Sequence, residues 1–309
     1  MNYRLLSRLL LWLLCCVTFV TADAAETLLV GDSSRAYYNA FLQGFVEASH
    51  GVTVANMSVD AVGRASRQEL ARAEAIITLG SDAAQKVIDL RVSVPSIHTL
   101  VTAGFAEHAI AAQESNSSNS TFIVLEQPIS RILALIRVAL PQGRRLGVIY
   151  GPTSESRGPE LRNQAKLYGY TLVETHIKSD AEVGEALRTL LGQVDALLAL
   201  PDPVVVNENT AKSLILDTYI HEIALIGYSH ALVKAGALMA IHSTPAQFGM
   251  QAAELAGRQQ GNHPIQQPQL VRPRYYQVSV NYQVARALGL DLPSEDILQE
   301  RVRQMEVAR

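Results

Sequence analysis

Cysteine is nearly missing from this chain of 309 residues: there are two, Cys15 and Cys16, adjacent and inside the first 25 residues. The remainder therefore has no disulfide, no thiolate nucleophile and no cysteine-based metal site of its own. Histidine offers no substitute. The eight histidines show neither His-x-His nor His-Glu-x-x-His spacing, so no metal centre is expected. No Walker or dinucleotide glycine pattern follows any expected strand, and no cofactor is expected. A basic surplus is also lacking. Taking Arg4, Arg8 and Asp23 away from 26 basic and 29 acidic groups leaves 24 against 28, net −4. That balance gives no electrostatic footprint for nucleic acid. Beyond residue 25 there is no second long apolar run.

The N-terminus reads as a secretory leader. Arg4 and Arg8 precede an apolar run over residues 9–20, too short to span a bilayer comfortably, and Ala22-Asp23-Ala24 supplies small residues for cleavage after Ala24. Leu13 and Leu14 precede Cys15 where a lipoprotein signal needs small residues, so no lipid anchor is expected. The remaining length allows one large or two medium domains.

Apolar runs then alternate with amphipathic segments, the pattern of a parallel sheet covered on both faces. Strands are expected at 27–31, 52–56, 75–79, 96–101 and 121–125, with helices at 36–48, 68–73 and 83–89 between them. A loop rich in serine and asparagine occupies 113–120. A second set follows: helix 129–140, stopped by Pro141-Gln142-Gly143, strand 145–150, helix 159–168, strand 171–176, helix 181–191 and strand 196–200. Two sets of similar length predict an α/β protein with two Rossmann-like lobes. A charged tail helix is expected over 294–307.

The final third is more specific. Leu200-Pro201-Asp202-Pro203 ends a strand and leads into a helix near 210–221. The strand 223–227 closes on Tyr228-Ser229. Val233-Lys234-Ala235-Gly236-Ala237-Leu238 follows, then an amphipathic helix near 245–258. Last comes Val280-Asn281-Tyr282-Gln283-Val284-Ala285-Arg286-Ala287-Leu288-Gly289-Leu290. In that order and spacing these segments resemble the substrate-binding proteins of ABC importers, in the group that includes tryptophan- and tyrosine-type binding proteins. Members carry a similar Val-Lys-Ala-Gly-Ala-Leu segment and a similar terminal Asn-x-x-x-Ala-x-x-Leu-Gly helix.

The resemblance implies the type I periplasmic binding protein fold: two lobes with parallel sheets joined by a three-linker hinge. The expected division is a leader over 1–24, a first lobe of 25–125 plus about 240–266, and a second of 126–239 plus about 267–309. It also implies a small-molecule ligand, amino-acid-like or another small polar or aromatic solute, and no catalysis. The expected partner is an ABC permease or, in the alternative, a membrane sensor. With the leader, the resemblance implies a periplasmic protein.

In open α/β sheets ligands bind beyond the carboxyl ends of the strands, which singles out the residues just after each strand. In the first lobe these include Ser33 and Ser34, whose hydroxyls serve a ligand or cap the next helix. Of Tyr37 and Tyr38 at most one faces a cleft, since neighbours on a helix diverge by about 100°; which of the two is left open, with Tyr38 carried as the candidate and core packing as the alternative. Ser81 stands in Gly80-Ser81-Asp82-Ala83-Ala84, which resembles the family's Gly-Thr-Pro-Ala-Ala loop, as cap and ligand contact; Thr102 follows the next strand. In the second lobe Thr153, Ser154 and Glu155 occupy the place of the family's Asn-Pro-x-Glu-x-Asn-Ser loop, and Glu155 matches its glutamate. The asparagine that follows there is replaced, and Arg157 appears, either as a partner for an acidic ligand through a bidentate contact or as a solvated surface residue. Asp202 and Ser229 complete the set. The alternative for Asp202 is a turn that satisfies its own backbone.

Two enzyme patterns compete. Gly31-Asp32-Ser33 resembles the start of a GDSL-type esterase, but the later Gly-x-Asn-Asp and Asp-x-x-His blocks are absent. Gly227-Tyr228-Ser229-His230-Ala231 resembles a nucleophile elbow without an evident partner set.

Overall fold

The computed structural model describes residues 26–49, 51–112, 119–259 and 267–307. The expected leader, with Cys15 and Cys16, and most of the serine- and asparagine-rich loop lie outside them. Among the described residues no helix is long and apolar enough to cross a membrane.

The chain first lays down β1 (Thr27–Val30), α1 (Ala36–Ala48), β2 (Val54–Met57), α2 (Val59–Val62), α3 (Arg67–Leu70) and β3 (Ala75–Leu79). There follow α4 (Ser81–Asp89), β4 (Ser96–Val101), α5 (Ala103–Ala112) and β5 (Ser120–Val124). The second set is α6 (Ile129–Ala139), β6 (Arg145–Tyr150), α7 (Gly158–Leu167), β7 (Thr171–His176), α8 (Val183–Leu190), β8 (Ala196–Leu198), α9 (Ala211–Ile220), β9 (Ala224–Gly227), α10 (His230–Ala235) and β10 (Met239–His242). The chain returns for α11 (Pro245–Gln259) and β11 (Gln269–Val271), then leaves again for β12 (Gln277–Val280), α12 (Tyr282–Ala287) and α13 (Glu295–Val307).

Two six-stranded sheets result, in the orders β11-β5-β4-β3-β1-β2 and β12-β10-β9-β8-β6-β7. Pairing in the first is parallel throughout; in the second only β12, against β10, is antiparallel. This is the two-lobed α/β type I architecture. The central strands β1, β3 and β5 are buried at every position. Strands covered by helices on both faces cannot alternate, which is why they read as unbroken apolar runs.

The short strands β10 and β11 are what the division at residues 240 and 266 does not anticipate. β10 stays in the second sheet through His242, and β11 joins β5 of the first sheet through Val271. The chain therefore crosses after His242 and again after Val271. α5 and β12 were also not marked as elements by the sequence.

Side chains stitch the three crossings together. Gln127 Nε2 donates to Ser243 Oγ at 2.8 Å, and the Ser243 hydroxyl donates to the Tyr275 carbonyl. Arg131 Nη1 donates to Gln127 Oε1 at 2.8 Å and to the Pro273 carbonyl at 2.7 Å, while its Nε pairs with Glu306. On the first lobe α1 and α11 meet backbone to backbone. A Cβ on Gly249 would sit 2.1 Å from the Phe41 carbonyl oxygen, and one on Gly44 would sit 2.1 Å from that of Ala246.

The two signature segments of the final third meet in space. Asn281 caps α12, its Oδ1 accepting from the Gln283 and Val284 amides. Its Nδ2 donates to the Val233 carbonyl at 3.1 Å, near the end of α10. That helix stops at Gly236 with φ +135°, where a Cβ would strike Ile215.

Candidate functional site

The loop after β6 is organised by a carboxylate from the loop that follows β8, the neighbouring strand of the sheet. Asp202, 2% exposed, accepts from the Thr153 amide (3.0 Å), the Ser154 amide (2.8 Å) and the Ser154 hydroxyl (2.9 Å) through Oδ2. Its Oδ1 accepts from the Val204 and Val205 amides. Gly151 makes the approach possible: a Cβ there would lie 2.4 Å from Asp202 Oδ1. Asp202 is thus a clamp between two strand ends, its oxygens taken up by four backbone amides and one hydroxyl.

Beside this clamp, a cavity of about 1160 Å³ opens at the carboxyl edge of the second sheet. All three crossings contribute to its wall, through Glu126, Ser243 and Tyr275, and so do Tyr228, Ser229 and His230 after β9. Burial, with Asp202 as a lesser cause, pushes the Tyr228 hydroxyl's pKa up. His230 and His242 converge on one hydroxyl, Ser279 Oγ, at 3.0 and 2.9 Å. Burial, then the neighbouring His230, pushes the His242 pKa down, so this imidazole resists protonation.

Two buried charges also line the cavity. Glu126, 8% exposed, accepts from the Ala103 amide at the start of α5 with both oxygens, at 3.0 and 2.9 Å. Arg157, 6% exposed, sits in a 3-10 turn over Glu155–Arg157 just ahead of α7. Burial, then the nearby Arg272, lowers its pKa, while Glu160, Glu126 and Glu107 oppose that shift. The solvated-surface alternative for Arg157 is therefore excluded.

A family described as ABC transporter substrate binding protein matches residues 53–304. The chain belongs to that family. Among curated relatives, the "Tyrosine-binding protein" of Clostridioides difficile (strain R20291) is 25% identical over 198 residues. That match covers 62% of this chain and 57% of the relative's own length. Among solved structures, a ligand-free, open substrate binding protein with adhesive properties from Clostridium difficile superposes with TM-score 0.68 at 19% identity, covering 88% of this chain and 97% of that one. A domain from Streptococcus pneumonia in complex with L-Trp superposes with TM-score 0.60 at 17% identity, covering 90% and 98%. At these identities the structures speak for the fold.

In this ABC transporter substrate binding protein the candidate residues fall into distinct settings. Thr153, Ser154 and Asp202 are brought together, by the clamp. Glu155 is exposed and pairs with His176 at 3.5 Å. Thr102 Oγ1 accepts from the Phe105 amide and adjoins the Glu126–Ala103 contact. Ser229 lines the cavity and caps α10, accepting from the Leu232 amide. Ser33 and Ser34 are exposed in the turn after β1. There Asp32 binds the Ser34 amide and hydroxyl, and the residue before α1 is Arg35, which makes no side-chain cap. Neither serine is the cap expected of it. Ser81 is likewise the first helical residue; Gly80, at φ +90°, holds the cap position. Tyr38 is 2% exposed among Phe41 and Phe45, its hydroxyl donating to Asn56 Oδ1 at 2.7 Å.

Glu126, His242, Ser243 and Tyr275 were not among the sequence candidates. His242 ends β10, and the others follow a strand or sit on a crossing, so the strand-end rule finds them once β10 and the crossings are placed.

Proposed function

We propose that this protein captures one small polar solute in the cavity at its hinge and presents it to an ABC permease for import. The observation that carries this reading is the cavity itself. Its wall is made from all three crossings, and it holds a buried acid and a buried base on one surface. A ligand that touches every crossing interacts differently with open and closed arrangements of the lobes. That differential contact is what lets binding energy shift such an equilibrium. An amino-acid-like solute fits this wall. Arg157 offers a buried positive charge to its carboxylate, and the relative from Clostridioides difficile is named for tyrosine. Export by residues 1–24 would place the protein in the periplasm, where capture precedes transport.

The test is to purify the protein from the periplasm of an expressing cell, denature it, and identify released small molecules by mass spectrometry. One solute at near one per chain, rebinding to the refolded protein, supports the reading. Absence of any released molecule, together with no stabilisation by a broad solute library, overturns it.

A further inference from the structure

We infer that Arg157, adjoined by Arg272 through their shared neighbour Glu160, forms an oxyanion subsite on the wall of the hinge cavity, selecting a ligand that carries a carboxylate. The inference rests on the solute-binding reading above and specifies the ligand's chemistry.

Three donors carry it. Arg157 Nε and Nη2 and Arg272 Nη1 are buried and have no hydrogen-bond partner. A buried donor without an acceptor keeps its full desolvation cost, larger still for a charged group, so such atoms are rarely left unpaired. The two guanidiniums converge. Glu160 Oε2 lies 3.4 Å from Arg157 Nε and 3.6 Å from Arg272 Nη2. Arg157 comes from the loop after β6 and lines the cavity, and Arg272 comes from the third crossing, just beyond β11.

The acids nearby do not use these donors up. Glu160 is half-exposed, and its contact with Arg157 Nε lacks hydrogen-bond geometry. Glu126 spends both oxygens on the Ala103 amide, and Glu107 is exposed on α5. Burial and mutual repulsion weaken the hold of Arg157 on its proton. A second anion beside the pair relieves both. A planar guanidinium with two free N–H groups on one side matches a carboxylate in the bidentate mode. Because the two arginines belong to different parts of the hinge, the oxyanion also bridges a lobe to a crossing.

The test is a thermal-shift and calorimetric panel on the purified protein. Probes are the proteinogenic L-amino acids and C3–C6 carboxylates, each beside its primary amide, with neutral sugars and polyamines as contrast. The expected result is at least one carboxylate that binds at one per chain while its amide binds at least ten-fold more weakly. Arg157→Gln should weaken that carboxylate at least ten-fold, and Arg157→Lys should fall between. The unliganded midpoint of Arg157→Gln should be unchanged or higher, because an unpaired buried charge has been removed; a purely structural arginine would lower it. Should Arg157→Gln unfold the protein, Arg272→Gln is read for the same loss of carboxylate preference. If the tightest ligand is a neutral sugar or a cation, the subsite is overturned while solute capture stands. If no probe binds and nothing co-purifies, both fall. Equal affinity of carboxylate and amide also overturns the subsite.

Discussion

Asp202 Oδ2 receives both the amide and the hydroxyl of Ser154, at 2.8 and 2.9 Å, across 48 residues of chain. This pair fixes the loop after β6 to the end of β8, and so sets where Arg157 stands on the cavity wall. Asp202→Ala leaves five donors without their acceptor. It should destabilise the unliganded protein by roughly 2–4 kcal/mol, read by urea denaturation. Equal stability would mean that the loop is held by other contacts.

Gly249→Ala should lower stability, because the added Cβ meets the Phe41 carbonyl and Phe45 amide rather than a side chain that can turn away. Parting α1 from α11 costs on the order of 1–3 kcal/mol. Gly257→Ala, in the same helix with open space around it, is the control and should be neutral or slightly stabilising. Both are read as thermal midpoints.

Asn281→Ala removes the cap of α12 and the tie to the Val233 carbonyl in one step. The expected loss is about 1–3 kcal/mol. Asn281→Asp should recover the cap alone, since Oδ1 accepts from the Gln283 and Val284 amides while Nδ2 makes the tie. Denaturation of the three forms, in that order of stability, checks the division.

His98 gives the fold a pH dependence. It is fully buried, its Nδ1 2.9 Å from Thr78 Oγ1, and burial depresses its pKa from 6.5 to about 3. Between those values the unfolded chain binds a proton that the native state refuses, so stability rises with pH. The contribution is complete above about pH 6.5 and is lost as pH falls toward about 3. At about 1.4 kcal/mol per unit, several kcal/mol are at stake. Thermal midpoints at pH 7 and pH 5 should differ less in His98→Asn than in the parent; an identical difference would assign the acid sensitivity elsewhere.

The sequence marked the long strands and helices because buried parallel strands are continuous apolar runs, as at 75–79 and 145–150, which are strands to the residue. It marked the signature segments by their resemblance to the family; in the structure Gly236 ends α10, and Asn281 both caps α12 and ties it to the Val233 carbonyl. It missed β10, which runs on directly from the signature segment ending at Leu238, and β11, which is only half-buried, and with them Ser243 and Tyr275 on the cavity wall. At Asp202 it left open a turn that satisfies its own backbone, and that is what Oδ1 does with Val204 and Val205. A strand-end carboxylate reads alike whether it faces a ligand or a neighbouring loop, and burial separates the two. Arg157 was legible only as a departure from the family loop; its burial needed the fold.

The most direct measurement is calorimetric titration of the ligand-stripped protein with the molecule that co-purifies with it, in the parent and in Arg157→Gln. The account predicts one site per chain in the parent and an affinity at least ten-fold weaker in the variant. Binding of equal strength in both would move the ligand away from Arg157, and absence of binding in the parent would contradict solute capture at the hinge.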